Sequence, residues 1–175
     1  MIDLGRGLAA AAWLITAACG ALSRPGAVAE LRAPDGAVAG HAKLIGRRGG
    51  VVVRIQVEGL APGAHGAHIH AVPACVPPDF LSAGDHFDHS GAGHGHAGPG
   101  EHHAGDLPNL IVGSDGRGSM DAMIAGVTLT GTGSHSLFRD GGTSLVIHER
   151  EDDMISQPSG GSGRRIACGV IRPAR

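Results

Sequence analysis

Hydrophobic and polar positions alternate most cleanly from Val53 to Val57. Val53, Ile55 and Val57 fall on one side of an extended chain, and Arg54 and Gln56 on the other, the period-2 mark of a strand with one face in a core. Val51 and Val52 extend this run back to the Gly49-Gly50 turn. Val28 to Arg32 and Val38 to Ile45 read as two earlier strands, separated by a Pro34-Asp35-Gly36 turn. Leu60-Ala61-Pro62-Gly63 turns the chain again, ahead of a strand from His65 to His70. Strand-like segments resume at Leu107 to Val112, Gly118 to Ile124, Thr128-Leu129, Ser144 to His148 and Ile166 to Ile171, with Asp115-Gly116 and Asp140-Gly141 between them. No helical period is sustained. The pattern predicts an all-β domain of about eight antiparallel strands, as a barrel or a sandwich, with two long loops. The loops are Ala71 to Gly105 and Glu149 to Arg165, the second rich in Gly, Ser and Asp.

Composition sharpens this. Of 175 residues, 42% are hydrophobic and 31 are glycine, while aromatic residues make up only 2%. The apolar content is too high for a disordered chain, and the glycine content suits turns and loops better than a helical bundle. A net charge of -2 gives no basis for general nucleic-acid or membrane-surface binding.

The first residues read as a leader. Arg6 supplies a positive start, and Leu8 to Ala18 is apolar but too short to span a bilayer. Ile15-Thr16-Ala17-Ala18-Cys19 looks like a bacterial lipobox, in which cleavage exposes a cysteine that then carries lipid. The division expected is a signal peptide over 1–18, a linker over 19–27 beginning at a lipidated Cys19, and a domain over 28–175. This places the mature protein outside the cytoplasm, in a bacterial periplasm or cell envelope. The chain has three cysteines. With Cys19 lipidated, Cys75 and Cys168 remain as an even pair in an oxidising compartment.

Candidate chemistry is concentrated in histidine. His65-Gly66-Ala67-His68-Ile69-His70 places His68 and His70 two residues apart, so on a strand both imidazoles face one way. Convergent imidazoles suit copper and zinc. Six of the chain's 12 histidines fall in the first long loop: His86, His89, His94, His96, His102 and His103. A loop of this length holds a fixed shape when it wraps a metal.

Further blocks follow in order: Ser82-Ala83-Gly84-Asp85-His86-Phe87, His94-Gly95, His103-Ala104-Gly105-Asp106-Leu107-Pro108-Asn109-Leu110, Val146-Ile147-His148-Glu149, Asp152-Asp153 and Gly163-Arg164-Arg165-Ile166-Ala167-Cys168-Gly169-Val170-Ile171. With them the chain resembles the bacterial exported copper/zinc superoxide dismutases, from about Val28 to Ile171. The resemblance implies a Greek-key β-barrel. It implies copper on His68, His70, His86 and His148, and zinc on His86, His94, His103 and Asp106, so that His86 bridges the two metals. Cys75 and Cys168 match the family disulfide. Arg165 matches the arginine that guides the anion, and Asp152 a carboxylate linking a copper histidine to a zinc histidine. His65 matches a histidine that contacts backbone and is not a ligand.

The activity implied is dismutation of superoxide to oxygen and hydrogen peroxide by alternate reduction and reoxidation of copper, with zinc structural. Superoxide is then the substrate, nucleic acid is no partner, and a lipid on Cys19 is the only membrane contact. A homodimer is left open. A copper-buffering protein without turnover is the rival from another class, and Arg165 argues against it because storage needs no anion-guiding arginine. A copper-only dismutase is the other rival, and His94, His103 and Asp106 argue against that.

Several positions depart from the family pattern. Asp85 precedes His86 where a small residue or proline is usual, and puts negative charge near an anion's target. Asp88-His89 follows Phe87 where Asn-Pro is common, and Pro73 stands in place of a frequent glycine. Arg164 adds a charge able to offset Asp85. His41, His89, His96, His102 and His135 are expected to be surface or solvated side chains.

Overall fold

The computed structural model describes residues 26–95 and 102–174. The expected leader, Cys19 and His96 lie outside these residues. Among the described residues there are ten strands: β1 (Gly26–Arg32), β2 (Val38–Arg47), β3 (Gly50–Val57), β4 (Gly63–His65), β5 (Ala67–His70), β6 (Leu110–Val112), β7 (Gly118–Ala125), β8 (Ser144–His148), β9 (Arg165–Val170) and β10 (Arg172–Pro173). β4 and β5 are one run interrupted at Gly66, and β10 is a two-residue return that pairs with β1. Eight principal strands therefore remain. Thr128, expected in a strand, makes only an isolated bridge to Ser136. The Gly126 and Gly131 turns leave it too little extended chain.

The antiparallel strands form one sheet in the order β4-β6-β7-β3-β2-β1-β9-β8-β5. Its two ends, β4 and β5, are consecutive in the chain, so the sheet rolls into a nearly closed barrel. The links from β3 to β4 and from β7 to β8 cross other strands, as Greek-key topology requires. Inward positions follow the alternation of the sequence: Val51, Val53, Ile55 and Val57 are buried and Arg54 and Gln56 exposed. They meet Leu31, Leu44, Ile69, Leu110, Leu145 and Ile147 in one core.

Gly66 sits at the seam. Its N–H donates to the Arg150 carbonyl and its carbonyl accepts from His148 N–H, both at 2.8 Å. A Cβ there would lie 2.9 Å from Ser162 Cβ and 3.3 Å from both Asp152 Cβ and His68 Cε1. Only glycine fits.

The first long loop, which runs on to Asn109, folds back over the outer edge of β5. Ile69 N–H donates to Gly105 O at 2.9 Å, Gly105 N–H to Phe87 O at 2.8 Å, and Phe87 N–H to Ile69 O at 2.7 Å. The loop thus satisfies a strand edge that would otherwise be open. A disulfide between Cys75 and Cys168 ties it to β9 across a separation of 93 residues. Closing a loop of that size constrains the unfolded chain by roughly 4–5 kcal/mol in the chain-entropy model. Phe80, Ala83 and Val146 pack around the bridge.

Candidate metal centre

β5 supplies His68 and His70, both fully buried. β8 pairs with β5 and ends at His148, and the folded-back loop brings His86 into a bridge with His70. Each of these four histidines presents a ring nitrogen within 4.8 Å of the others. Those nitrogens, His68 Nδ1, His70 Nε2, His86 Nε2 and His148 Nε2, are buried without hydrogen-bond partners. The opposite nitrogen of each ring is engaged. His68 Nε2–H donates to Asp152 Oδ2 at 2.7 Å, His70 Nδ1–H to Gly84 O at 2.8 Å, His86 Nδ1–H to Asp106 Oδ1 at 2.7 Å, and His148 Nδ1–H to Gly163 O at 3.2 Å. These bonds fix the tautomers, so four lone pairs point at a common centre. Orphaned buried acceptors are costly, and a copper ion accepting all four fits this donor set.

A second cluster adjoins the first through His86. His94 Nε2–H donates to Asp152 Oδ1 at 2.9 Å, and its Nδ1, buried without a hydrogen-bond partner, lies 3.0 Å from Asp106 Oδ2. Two electron-rich atoms that close require a cation or proton between them. His103 turns its Nδ1 to 3.5 Å from Asp106 Oδ1, with its ring centroid 5.3 Å from that of His86. A zinc here would take the place of the His86 Nδ1 proton, and three imidazoles and one carboxylate then fit a closed, four-coordinate zinc. The ligand atoms within 4.8 Å of one another here belong to His68, His86, His94 and Asp106; the family resemblance puts His103 in the set in place of His68, whose Nδ1 faces the first centre. His102 instead bonds its Nδ1 to the His103 carbonyl at 2.9 Å.

Burial governs the titration of these groups. It pushes the pKa of His70 down to about 2, with neighbouring His86 and Arg165 adding repulsion. Burial likewise lowers His86 to about 4, against the raising effect of its bond to Asp106. It lowers His148 to about 3, helped by repulsion from His68. Burial works to raise the two carboxylates, but their hydrogen bonds prevail. His86 and Gly95 carry Asp106 well below the usual carboxylate range, and His68 and His94 carry Asp152 to about 2. At neutral pH His70, His86 and His148 are therefore neutral and Asp106 and Asp152 ionised, the ligand state that metals need.

Asp152 joins His68 to His94 through its two oxygens. His65 lies between the carbonyls of His148 and Ala61, at 2.7 and 2.8 Å, and offers no free nitrogen. Arg165 begins β9, and its guanidinium donates to Phe80 O and Gly84 O, each at 2.8 Å. Burial lowers the Arg165 pKa from its ordinary value, with Asp85 and Asp79 pulling the other way.

The departures resolve individually. Asp88 caps the turn after Phe87 by accepting from Ser90, Gly91 and Ala92 N–H, so it stabilises the segment instead of disturbing His86. Arg139 reinforces it, donating to Asp88 O at 2.6 Å with its guanidinium 4.4 Å from the Phe87 ring centre. Asp85 is exposed beside Arg165. Arg164 was expected to offset Asp85, but it is held by Glu149, at 2.6 and 3.2 Å. His89 is half-buried, not solvated, with its ring centre 4.1 Å from that of His135. His41 lies exposed near Glu30.

Some contributors carry no signal in the sequence. The carbonyls of Phe80 and Gly84 hold Arg165, and any residue has a carbonyl. Gly160 adopts φ 62, and a Cβ there would fall 1.7 Å from Asp152 Oδ1. Asn109 clasps the Asp152 backbone from both sides, at 2.8 and 2.9 Å. Asn109 does lie within one of the recognised blocks, which is where it could have been found.

Comparison with known proteins agrees with this geometry. The family model for copper/zinc superoxide dismutase (SODC) matches residues 38–171. Superoxide dismutase (Cu-Zn) 2 of Aquifex aeolicus is 45% identical over 145 residues, covering 82% of this chain and 85% of that protein. Superoxide dismutase (Cu-Zn) of Caulobacter vibrioides is 40% identical over 149 residues, covering 83% and 85%. Among solved structures, a double mutant of a SOD-like protein from Bacillus subtilis superposes with a TM-score of 0.77 at 37% identity, covering 82% of this chain and 95% of that one.

Proposed function

This chain belongs to the copper/zinc superoxide dismutase family, and from that premise we propose a role for each residue of its centre and a location for the protein. The reaction is the dismutation of superoxide to oxygen and hydrogen peroxide. His68 Nδ1, His70 Nε2, His86 Nε2 and His148 Nε2 are the copper ligands. His86, His94, His103 and Asp106 are the zinc ligands. When bound, copper supplies a one-electron couple that superoxide can both reduce and reoxidise, and zinc fixes the loop that carries His86.

The chain's own groups do the rest. Arg165 has five N–H donors, and its bonds to Phe80 O and Gly84 O aim the guanidinium while leaving others for a small anion. Its positive charge draws superoxide toward the centre, an effect for which the dismutases are a standard example. His86 Nε2, without a hydrogen-bond partner, is the atom that would hold a proton for the departing peroxide whenever it is not bound to copper. Asp152 holds His68 and His94 in the tautomers their ligand atoms require.

The observation that carries this reading is the convergence of four buried, unpartnered ring nitrogens within 4.8 Å. It is tested by measuring copper and zinc in the purified protein and following superoxide loss. About one of each metal per chain and near-diffusional turnover are expected. A copper-loaded protein that leaves the rate of superoxide loss unchanged overturns it.

We also propose that the protein works outside the cytoplasm, anchored through lipid on Cys19. The apolar Leu8 to Ala18 segment and the lipobox-like Ile15 to Cys19 support this, as does a disulfide suited to an oxidising compartment. Mass spectrometry of the mature protein should find an acylated Cys19 as its first residue, and Cys19→Ser should release it from membranes. An unprocessed chain recovered from the cytoplasm contradicts both.

A further inference from the structure

We infer that Gln157 is a positioning residue for the zinc centre. Through it, zinc binding is coupled to the order of the 149–164 loop. This rests on the zinc assignment above.

His94 is held from three sides. Two are already described: its Nε2–H on Asp152 and its Nδ1 against Asp106 Oδ2. The third is its backbone. Gln157 Oε1 accepts from His94 N–H at 2.8 Å, and Gln157 Nε2–H donates to His94 O at 2.9 Å. The side-chain amide thus pairs with the main chain as a strand neighbour would, satisfying both backbone groups of a zinc ligand at once. Gln157 Nε2 also reaches the Ile155 carbonyl at 3.3 Å, which turns the side chain back along its own loop and fixes its direction. Residues 94 and 157 are joined through this side chain, beside the bond from His94 to Asp152 of the same loop.

The energetic consequence is mutual. Zinc fixes His94, and a fixed His94 offers Gln157 two bonds in fixed geometry. The same loop carries Asp152 and leads directly into Arg165. Whatever affinity Gln157 lends to zinc, zinc must return as order in the loop, because coupling between two equilibria is reciprocal. Residues that orient metal ligands from outside the ligand set typically change affinity roughly 10–100-fold when lost. Gln157 is exposed, so water competes for its bonds, and the lower end of that range applies.

The test is zinc release from fully loaded protein into a chromophoric chelator, with copper release followed in parallel. Gln157→Ala should speed zinc release about tenfold and leave copper release unchanged. Gln157→Glu, which keeps the acceptor for His94 N–H and loses the donor, should fall between. Asp153→Ala is the control. Asp153 caps the Ile155-Ser156 turn of the same loop through its carboxylate and touches no zinc residue. Hydrogen exchange of the amides of residues 155–157 gives the second readout. Zinc should protect them in the wild type and much less in Gln157→Ala.

Wild-type release kinetics in Gln157→Ala overturn the inference, as does an equal acceleration in Asp153→Ala, which would reduce the effect to general loop stability. If Gln157→Ala does not load, Gln157→Glu decides alone. A wild-type protein that takes up no zinc removes the zinc assignment and this inference together.

Discussion

His70 and Arg165 meet on a single oxygen: the Gly84 carbonyl accepts from His70 Nδ1–H and from Arg165 Nη2–H, both at 2.8 Å. The group that aims His70, proposed as a copper ligand, is therefore also the group that aims Arg165, proposed to guide the anion. Ligand geometry and substrate approach are set from one point, on the loop that also carries His86.

Replacing Arg165 separates the two functions. Arg165→Ile leaves the His70 bond to Gly84 in place, so copper content should not change. The rate at low ionic strength should fall about 10-fold or more, because steering by a charged mouth contributes in that range. Pulse radiolysis of metal-loaded protein reads this directly, and the gap to wild type should narrow as salt is raised. An unchanged low-salt rate contradicts the role given to Arg165.

Asp85 predicts the opposite sign. It is exposed, and its negative charge acts on Arg165 without forming an ion pair within 4.0 Å. Asp85→Asn should raise kcat/KM a few-fold at low ionic strength and have no effect near 1 M salt, where screening acts within about 3 Å. A slower variant at low salt would mean that Asp85 serves the fold of the loop instead.

The disulfide should matter more for stability than for chemistry. Cys75→Ala combined with Cys168→Ala frees the 93-residue span and should cost roughly 2–5 kcal/mol in denaturant unfolding. The loop that carries Gly84 and His86 should then become the first region to lose hydrogen-exchange protection. Loss confined to β9 alone contradicts that order.

Acid should destabilise the metal-free protein early. His86 drops from 6.5 to about 4 on folding and His148 to about 3, both chiefly through burial. Below pH 6.5 the unfolded chain therefore binds protons that the folded chain refuses, and stability falls as pH falls. His86 alone contributes on the order of 3 kcal/mol above pH 6.5, lost by about pH 4. Asp152, held at about 2, and Asp106, held lower, act in the same direction below about pH 4. Unfolding of metal-free protein between pH 7.5 and 3 should show a continuous decline. A flat profile from pH 6.5 to 4.5 would mean that the histidines stay exposed to protons.

Much of the candidate site is legible in the sequence. Two histidines on alternate positions of an extended run must share a face, and His148 ends a run of five strand residues. The recognised blocks then named His86, His94, His103 and Asp106 in order. The way the first loop uses itself was hidden, because backbone pairing of Ile69 with Phe87 and Gly105 leaves no mark on side-chain identity. Gln157 was hidden for a related reason. A glutamine in a polar, glycine-rich loop looks solvated until the chain across from it is placed. Arg164 misled because its charge was visible and its engagement by Glu149 was not.

Gly66 closes the barrel and stands against Asp152 and His68 at once. One added methyl there would press on both, so the chain has no way to loosen its seam and keep its metal geometry. A designer who wished to retune the copper centre by shifting β5 would have to reopen the barrel to do so. The useful freedom for changing this enzyme lies in the loops that arrive at the site, not in the strand that carries His68 and His70.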